Sequence, residues 1–296
     1  MKPAWFDYYA PRSLEEALRI LDDAGQDGRV LAGGQSLVPM LNCRILSPAV
    51  VVDINRIEAL NRLDVGTDSL TVGALVRHAD LLRSRDVREG WPLLAEATTQ
   101  VAHPAIRNRG TVCGSVSHND PAAEHPGVLV TLDGTVVIAG AAGRRELPAE
   151  QFFAGMLSTA LEPGEIVVEV RYPRPPAGTG AAFVEFARRL GDFAIAGVAA
   201  TLRMREGVCE TARLTILGMG DGPFRARAAE AALTAGRIGA DGHREAFAAA
   251  AASVVAAVDP ADDVHASSSY RRHLAGVLTV RALETALARA TGEQTG

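Results

Sequence analysis

Two stretches of this chain combine small residues with hydroxyls in a way that can hold an anion. The first is 31–47, LAGGQSLVPMLNCRILS, where Ala32, Gly33 and Gly34 follow a short apolar run and Gln35 and Ser36 come next. The second is 108–124, NRGTVCGSVSHNDPAAE, with Gly110, Thr111, Gly114 and Ser115. Glycine is cheap where φ must be positive or where no Cβ fits. A strand that runs into glycines, then a polar pair, then an apolar run can aim successive backbone N–H groups at a negative charge. Two such loops can hold a pyrophosphate from both sides. Taken alone, a Gly-Gly pair more often marks a strand-to-helix turn that needs glycine for its geometry. The pattern is not GxGxxG, and no lysine follows it as in GxxxxGK[ST], so neither a Rossmann phosphate loop nor a nucleotide-hydrolysing P-loop fits.

The elements that must position these loops read clearly in places. Residues 13–25, SLEEALRILDDAG, form a helix pattern: Ser13 caps, Glu16 completes a capping box, Leu14, Ala17, Leu18 and Leu21 share a face, and Gly25 stops it. Short strands are expected at 30–31 and 50–54, so the first 56 residues read as a small βαβ-like lobe. Residues 63–65 and 69–72 alternate as a hairpin about Gly66 and Asp68, and 77–85 and 92–102 are helical, the latter ended by Pro104. The 108–124 stretch reads as a loop, 127–132, 135–139 and 144–147 as strands and turns, 148–154 as a short helix, and 166–171 as a strand. RPPAGTG at 174–180 is the clearest linker. After it come strands at 181–189, 194–204 and 208–217 and helices at 223–234, 253–256 and 270–290, a sheet with helices on one face. The expected division is a domain at 1–176, with lobes at about 1–56 and 57–176, a domain at 181–290, and a tail at 291–296.

Composition narrows the function classes. A length of 296 residues allows two full cores. A net charge of −5 with scattered Lys and Arg argues against nucleic acid. The opening MKPAWFDYYAP has no apolar leader core, and no apolar run approaches the roughly 20 residues of a membrane helix, so a cytoplasmic protein is expected. Cys43, Cys113 and Cys209 are spread apart with no CxxC, which gives neither a disulfide framework nor a metal or iron–sulfur ligand set. His103 and His125, each before a proline, read as structural loop residues, and His118 belongs to no metal or triad pattern. Asp262, Asp263 and His265 read as the lead-in to a capped helix with a basic first turn. No general acid, base or nucleophile stands out.

AGGQSLVPMLNCRI, followed at this distance by RNRGTVCGSVSHNDPAAE, resembles the FAD-binding (medium) subunit of the molybdenum hydroxylases, the group of xanthine dehydrogenase and aerobic carbon monoxide dehydrogenase. The likeness runs from WFDYYAPRSLEEAL near the start to DDVHASSSYRRHLAGVLTVRAL near the end. It implies an α+β fold: a two-lobed FAD-binding domain of the vanillyl-alcohol-oxidase (PCMH) type and a smaller C-terminal α+β domain. It implies non-covalent FAD, with the pyrophosphate on Ala32, Gly33, Gly34, Gln35, Ser36 and Leu37 and on Thr111, Gly114 and Ser115. Cys113 stands where that family commonly has the first glycine of Thr-x-Gly-Gly; as a residue it reads as a small buried hydrophobe. The likeness also implies that Asp120 and Glu124 bind the ribityl hydroxyls. Phe193 would cover the flavin ring, Arg188 would offset flavin or phosphate charge, and Val167 would touch the ring edge.

The implied role is an electron-carrying oxidoreductase subunit. The molybdenum cofactor would sit on a large partner and the [2Fe-2S] clusters on a small one, in a dimer of heterotrimers. The alternative is a stand-alone flavin oxidase of the vanillyl-alcohol type, for which the chain is short and shows no tethering residue. A binding module whose glycine turns are purely structural is the non-enzyme reading.

Overall fold

A computed structural model describes residues 1–235 and 243–292. The N-terminal lobe contains β1 (Asp7–Tyr9), α1 (Leu14–Ala24), β2 (Gly28–Leu31), α2 (Leu37–Asn42) and β3 (Val50–Asp53). Its three strands are parallel in the order β1-β3-β2. α1 forms because Ser13 Oγ accepts from the Glu16 N–H and its apolar row, including Ala17 and Leu21, is buried. The capping box is displaced by one residue: the Glu16 carboxylate accepts from the N–H of Arg12, not from that of Ser13. The βα sequence thus delivers 32–36 at the strand's C-terminal edge.

The larger lobe begins with the hairpin β4 (Leu63–Val65) and β5 (Ser69–Gly73), then α3 (His78–Arg83), α4 (Arg85–Gly90), α5 (Pro92–Gln100) and α6 (Pro104–Arg107). α7 (Val112–His118) and α8 (Glu124–Thr131) follow, then β6 (Thr135–Gly140), β7 (Gly143–Pro148), α9 (Ala149–Phe152), the small β8 (Phe153–Gly155) and β9 (Ser158–Thr159), and β10 (Ile166–Pro173). Its sheet is antiparallel in the order β4-β5-β10-β6-β7.

Three expectations fail here. The stretch read as a loop at 108–124 contains α7, capped by Thr111, and the strand expected at 127–132 is α8. α8 is buried along its whole length, so its apolar run lacks the one-sided period that marks a helix. His125 lies inside α8 and not in a loop.

Beyond the 174–180 connection, β11 (Thr179–Phe186), β12 (Ala196–Arg205), β13 (Val208–Leu217) and β14 (Phe224–Arg225) make an antiparallel sheet. α10 (Arg227–Thr234), α11 (His243–Ala257) and α12 (Ser268–Thr291) follow. The strand expected to reach 189 ends at Phe186, the helix expected from 223 starts at Arg227 after a short strand, and the tail expected at 291–296 lies outside the described residues after Gly292. α12 is capped by Ser267, and Asp263 is engaged by the N–H groups of His265 and Ala266 and by Arg271.

The pleat splits this sheet between two cores. Ala182, Val198, Ala200, Leu214 and Ile216 pack with the C-terminal helices, while Ala181, Phe183, Ala199 and Leu217 join the core of the first domain. β12 is therefore buried on both faces, as its run of alanine and valine allows. Polar ties cross the boundary: Glu96 pairs with Arg289 at 2.8 Å and accepts from the Phe183 N–H, Asp133 pairs with Arg213 at 2.8 Å, and the Gly218 N–H donates to Pro121 O.

Candidate cofactor site

The first glycine loop leaves donors unused. Gly34 has φ 72°, which an L side chain rarely adopts, and this turns the chain from β2 into α2. Gln35 donates its Nε2–H to Gly33 O at 2.9 Å and braces the turn. The backbone N–H groups of Gly34, Gln35, Ser36 and Leu37 make no hydrogen bond within the described residues. Ser36 occupies the N-cap position of α2 without a side-chain cap bond, so its hydroxyl is also available. A cleft of about 370 Å³ opens here, lined by Leu31 to Gln35, Val38, Pro39, Asp53, Asn55, Ile106 and Arg109.

The second loop forms the wall of that cleft. A Cβ at Gly33 would lie 2.5 Å from Arg109 O and 2.7 Å from Gly110 Cα, so the two loops touch backbone to backbone. Thr111 Oγ accepts from the Gly114 N–H at 3.1 Å and caps α7, while the Ser115 N–H bonds to Thr111 O. Most donors of this loop are thus used in its own fold. Cys113 points away into the core, its thiol 3.4 Å from Val72 O, and burial raises its pKa strongly.

A polar strut joins the two loops, and none of its members stood out in the sequence. Asn55 donates to Ala32 O at 2.8 Å and accepts from Arg77, whose other guanidinium nitrogen donates to Arg109 O. Asp53 holds Asn55 through its backbone and side-chain N–H groups and accepts from the Tyr8 hydroxyl. Burial works against the Asp53 carboxylate, but the bonds from Tyr8 and Asn55 outweigh it and keep its pKa below the ordinary range. Beneath Gly110 lie two buried imidazoles, with His125 Nε2 2.9 Å from His78 Nδ1. A Cβ at Gly110 would meet the His78 ring at 2.8 Å. Burial, reinforced by Arg107 and Arg77, lowers the His78 pKa to about 4, so the ring is neutral near pH 7. The only sequence signal for these residues is their type; the pairing is long-range.

The remaining expected residues are split between positions. Asp120 turns the chain after α7 by accepting from the Ala122 N–H. Glu124 opens α8 at 9% exposure, and burial together with the Glu185 carboxylate raises its pKa to about 8. Arg188 and Phe193 lie on the turn between β11 and β12. That turn reaches back to the first domain, where the His103 ring packs against Gly191 beside α6, and Phe193 is 69% exposed. Val167 stands apart: it is buried in β10 opposite Ile138 and belongs to the core. Among the described residues no group of three or more His, Cys, Asp or Glu is placed to hold a metal ion.

The arrangement offers free backbone N–H groups and a hydroxyl to an anion, in a cleft that Arg109 and Asp53 also line. The family described as "FAD binding domain in molybdopterin dehydrogenase" matches residues 4–175, and "CO dehydrogenase flavoprotein C-terminal domain" matches 181–286. The 6-hydroxypseudooxynicotine dehydrogenase complex subunit alpha of Paenarthrobacter nicotinovorans is 43% identical, over 98% of this chain and 97% of that protein. The carbon monoxide dehydrogenase medium chain of Hydrogenophaga pseudoflava is 36% identical, over 98% and 99%. The solved carbon monoxide dehydrogenase of H. pseudoflava superposes with a TM-score of 0.94 at 39% identity, over 98% of this chain and 99% of that one.

Proposed function

The chain belongs to the family of FAD-binding medium subunits of the molybdenum hydroxylases, and on that premise we propose that it relays electrons within such a complex. It would accept them from [2Fe-2S] clusters on a small partner, supplied by a molybdenum centre on a large partner, and pass them to an external acceptor. FAD supplies the chemistry, because it takes up electrons singly or in pairs.

The observation that carries the reading is the contact of two glycine loops across one cleft, with free N–H groups on one wall. The N–H groups of Gly34, Gln35, Ser36 and Leu37 and the Ser36 hydroxyl bind the diphosphate, with Ala32 and Gly33 setting the turn. Thr111, Gly114 and Ser115 shape the opposite wall. The backbone dipoles act beside Arg109, which lines the same cleft and can add positive charge near the diphosphate. Asp120 and Glu124 face the polyol, since a carboxylate accepts from two hydroxyls at once. Phe193 and Arg188 sit on the turn that covers the ring. FAD is held non-covalently. The partners form a dimer of heterotrimers, and the free cysteines fit the reducing cytoplasm.

The test is affinity purification of the tagged chain expressed with its genomic neighbours. Co-elution of a cysteine-rich small chain and a large chain, with FAD, iron and molybdenum in fixed ratio, is the expected result. A chain that elutes alone with FAD and oxidises substrates with oxygen would overturn it.

A further inference from the structure

Tyr8 belongs to neither hydrophobic core, yet its hydroxyl is tied to the cofactor loops. β1 is a three-residue edge strand whose residues are all exposed. Tyr8, 54% exposed, stands opposite Val51 in the parallel pairing with β3, and its hydroxyl donates two residues further on, to Oδ2 of Asp53. A ring so exposed gains little by burial, so the bond it makes is its main tie to the fold. The other oxygen of that carboxylate, Oδ1, accepts from the Asn55 backbone N–H at 2.9 Å and from the Asn55 amide at 2.6 Å.

Asn55 uses every polar atom of its amide. One N–H goes to Asp53 Oδ1, the other to Ala32 O in the first glycine loop at 2.8 Å, and the amide oxygen accepts from Arg77. Arg77 is fixed to the second loop. Its guanidinium donates to Arg109 O, its backbone bridges Thr111, and beside it the His78 N–H donates to Gly110 O while Val76 O accepts from the Val112 N–H. Arg109 O is the atom that a Cβ at Gly33 would strike at 2.5 Å. The relay Tyr8–Asp53–Asn55–Arg77 thus grips both loops beside the point where they touch, and Asp53, Asn55 and Arg109 all line the cleft. A carboxylate is planar, so the bond that fixes Oδ2 also directs Oδ1, and with it the Asn55 amide. The hydrogen bond to Asp53 raises the Tyr8 pKa, so the hydroxyl stays a donor near neutrality.

We infer that Tyr8 is a positioning residue for the cofactor: by locking the Asp53 carboxylate it fixes Asn55, and through Asn55 and Arg77 it sets the spacing of the two glycine loops. This rests on the reading that these loops hold FAD. The Tyr8 hydroxyl bonds to neither loop and acts through Asp53. Without it the relay keeps its inner members but loses the constraint at its outer end, and the free N–H groups of Gly34 to Leu37 are no longer held at one distance from the opposite wall. The bonds act in series, so cutting the relay at a second place adds little to the first cut.

The test uses the full chain, or its complex, stripped of flavin; FAD is titrated by fluorescence quenching and the flavin-free form is melted. Tyr8→Phe keeps the ring and removes the hydroxyl. It should weaken FAD binding about tenfold, the scale of one lost hydrogen bond to a charged group. It should move the flavin-free melting temperature by no more than about 2 °C, as a surface substitution does. Asp53→Ala cuts the relay and should weaken FAD at least as much, while Asp53→Asn, which leaves an oxygen for Asn55, should recover most of that loss. The decisive comparison is a double-mutant cycle: in an Arg77→Met background, Tyr8→Phe should weaken FAD by less than about threefold further. Unchanged affinity in Tyr8→Phe, an effect in the Arg77→Met background as large as in the wild type, or no recovery in Asp53→Asn overturns the inference while FAD binding stands. Failure of both wild-type chain and complex to bind FAD overturns the underlying reading and the inference with it.

Discussion

The two glycine loops look alike in sequence and differ in what surrounds them. The loop at 32–37 keeps its N–H groups and the Ser36 hydroxyl free and lines an open cleft. The loop at 109–115 uses Thr111 to cap its own helix and packs Gly110 over His78. Even Gly33, in the open loop, is small because the other loop's backbone lies against it. Glycine therefore marks close approach, and the neighbour can be protein as easily as ligand. One loop leaves its donors free; the other spends most of its own on its fold and packs against the first.

The contrast is broken most severely at the contact itself. Gly33→Val drives a side chain into the Arg109 carbonyl. It should cost about 1–3 kcal/mol by overpacking and abolish flavin retention, read by thermal melting and visible absorbance. The strut comes next. Arg77→Met strips the donors from Asn55 Oδ1 and Arg109 O, a loss of about 1.5–3 kcal/mol for charged hydrogen bonds. If that loss falls on the bound geometry, FAD affinity drops about tenfold to a hundredfold in a fluorescence titration.

The sharpest comparison pairs two hydroxyls. Thr111→Ala should lower stability by about 1 kcal/mol through the lost cap and weaken FAD as a consequence. Ser36→Ala should weaken FAD without moving the melting temperature, because its hydroxyl caps nothing. Smallest of all, Cys113→Ala should leave FAD affinity unchanged, since the thiol faces Val72 in the core. Equal effects of Thr111→Ala and Ser36→Ala on melting would erase the distinction between the loops.

Where a residue's neighbours are close in sequence, its role could be read before the fold was known. The α1 cap, the β4–β5 hairpin and the capped start of α12 are local, and each forms as its residues imply. α7 was hidden because valines and a glycine, poor helix formers, surround a threonine cap. α8 was hidden because helices of its own domain and the second domain's sheet cover it on all sides, which removes the helical period. The strut residues Asn55 and Arg77 and the pair His78–His125 are joined across 22 and 47 positions, and no spacing rule reaches that far.

The most direct test of the two-loop site is the visible absorption spectrum of wild type and Gly33→Val after FAD loading and gel filtration, on the chain or its co-expressed complex. The account requires one flavin per wild-type chain and none in Gly33→Val, with matching circular dichroism showing that the variant is folded. A folded Gly33→Val that keeps its flavin, or a wild-type chain and complex that both lack it, would contradict the claim that these loops together make the cofactor site.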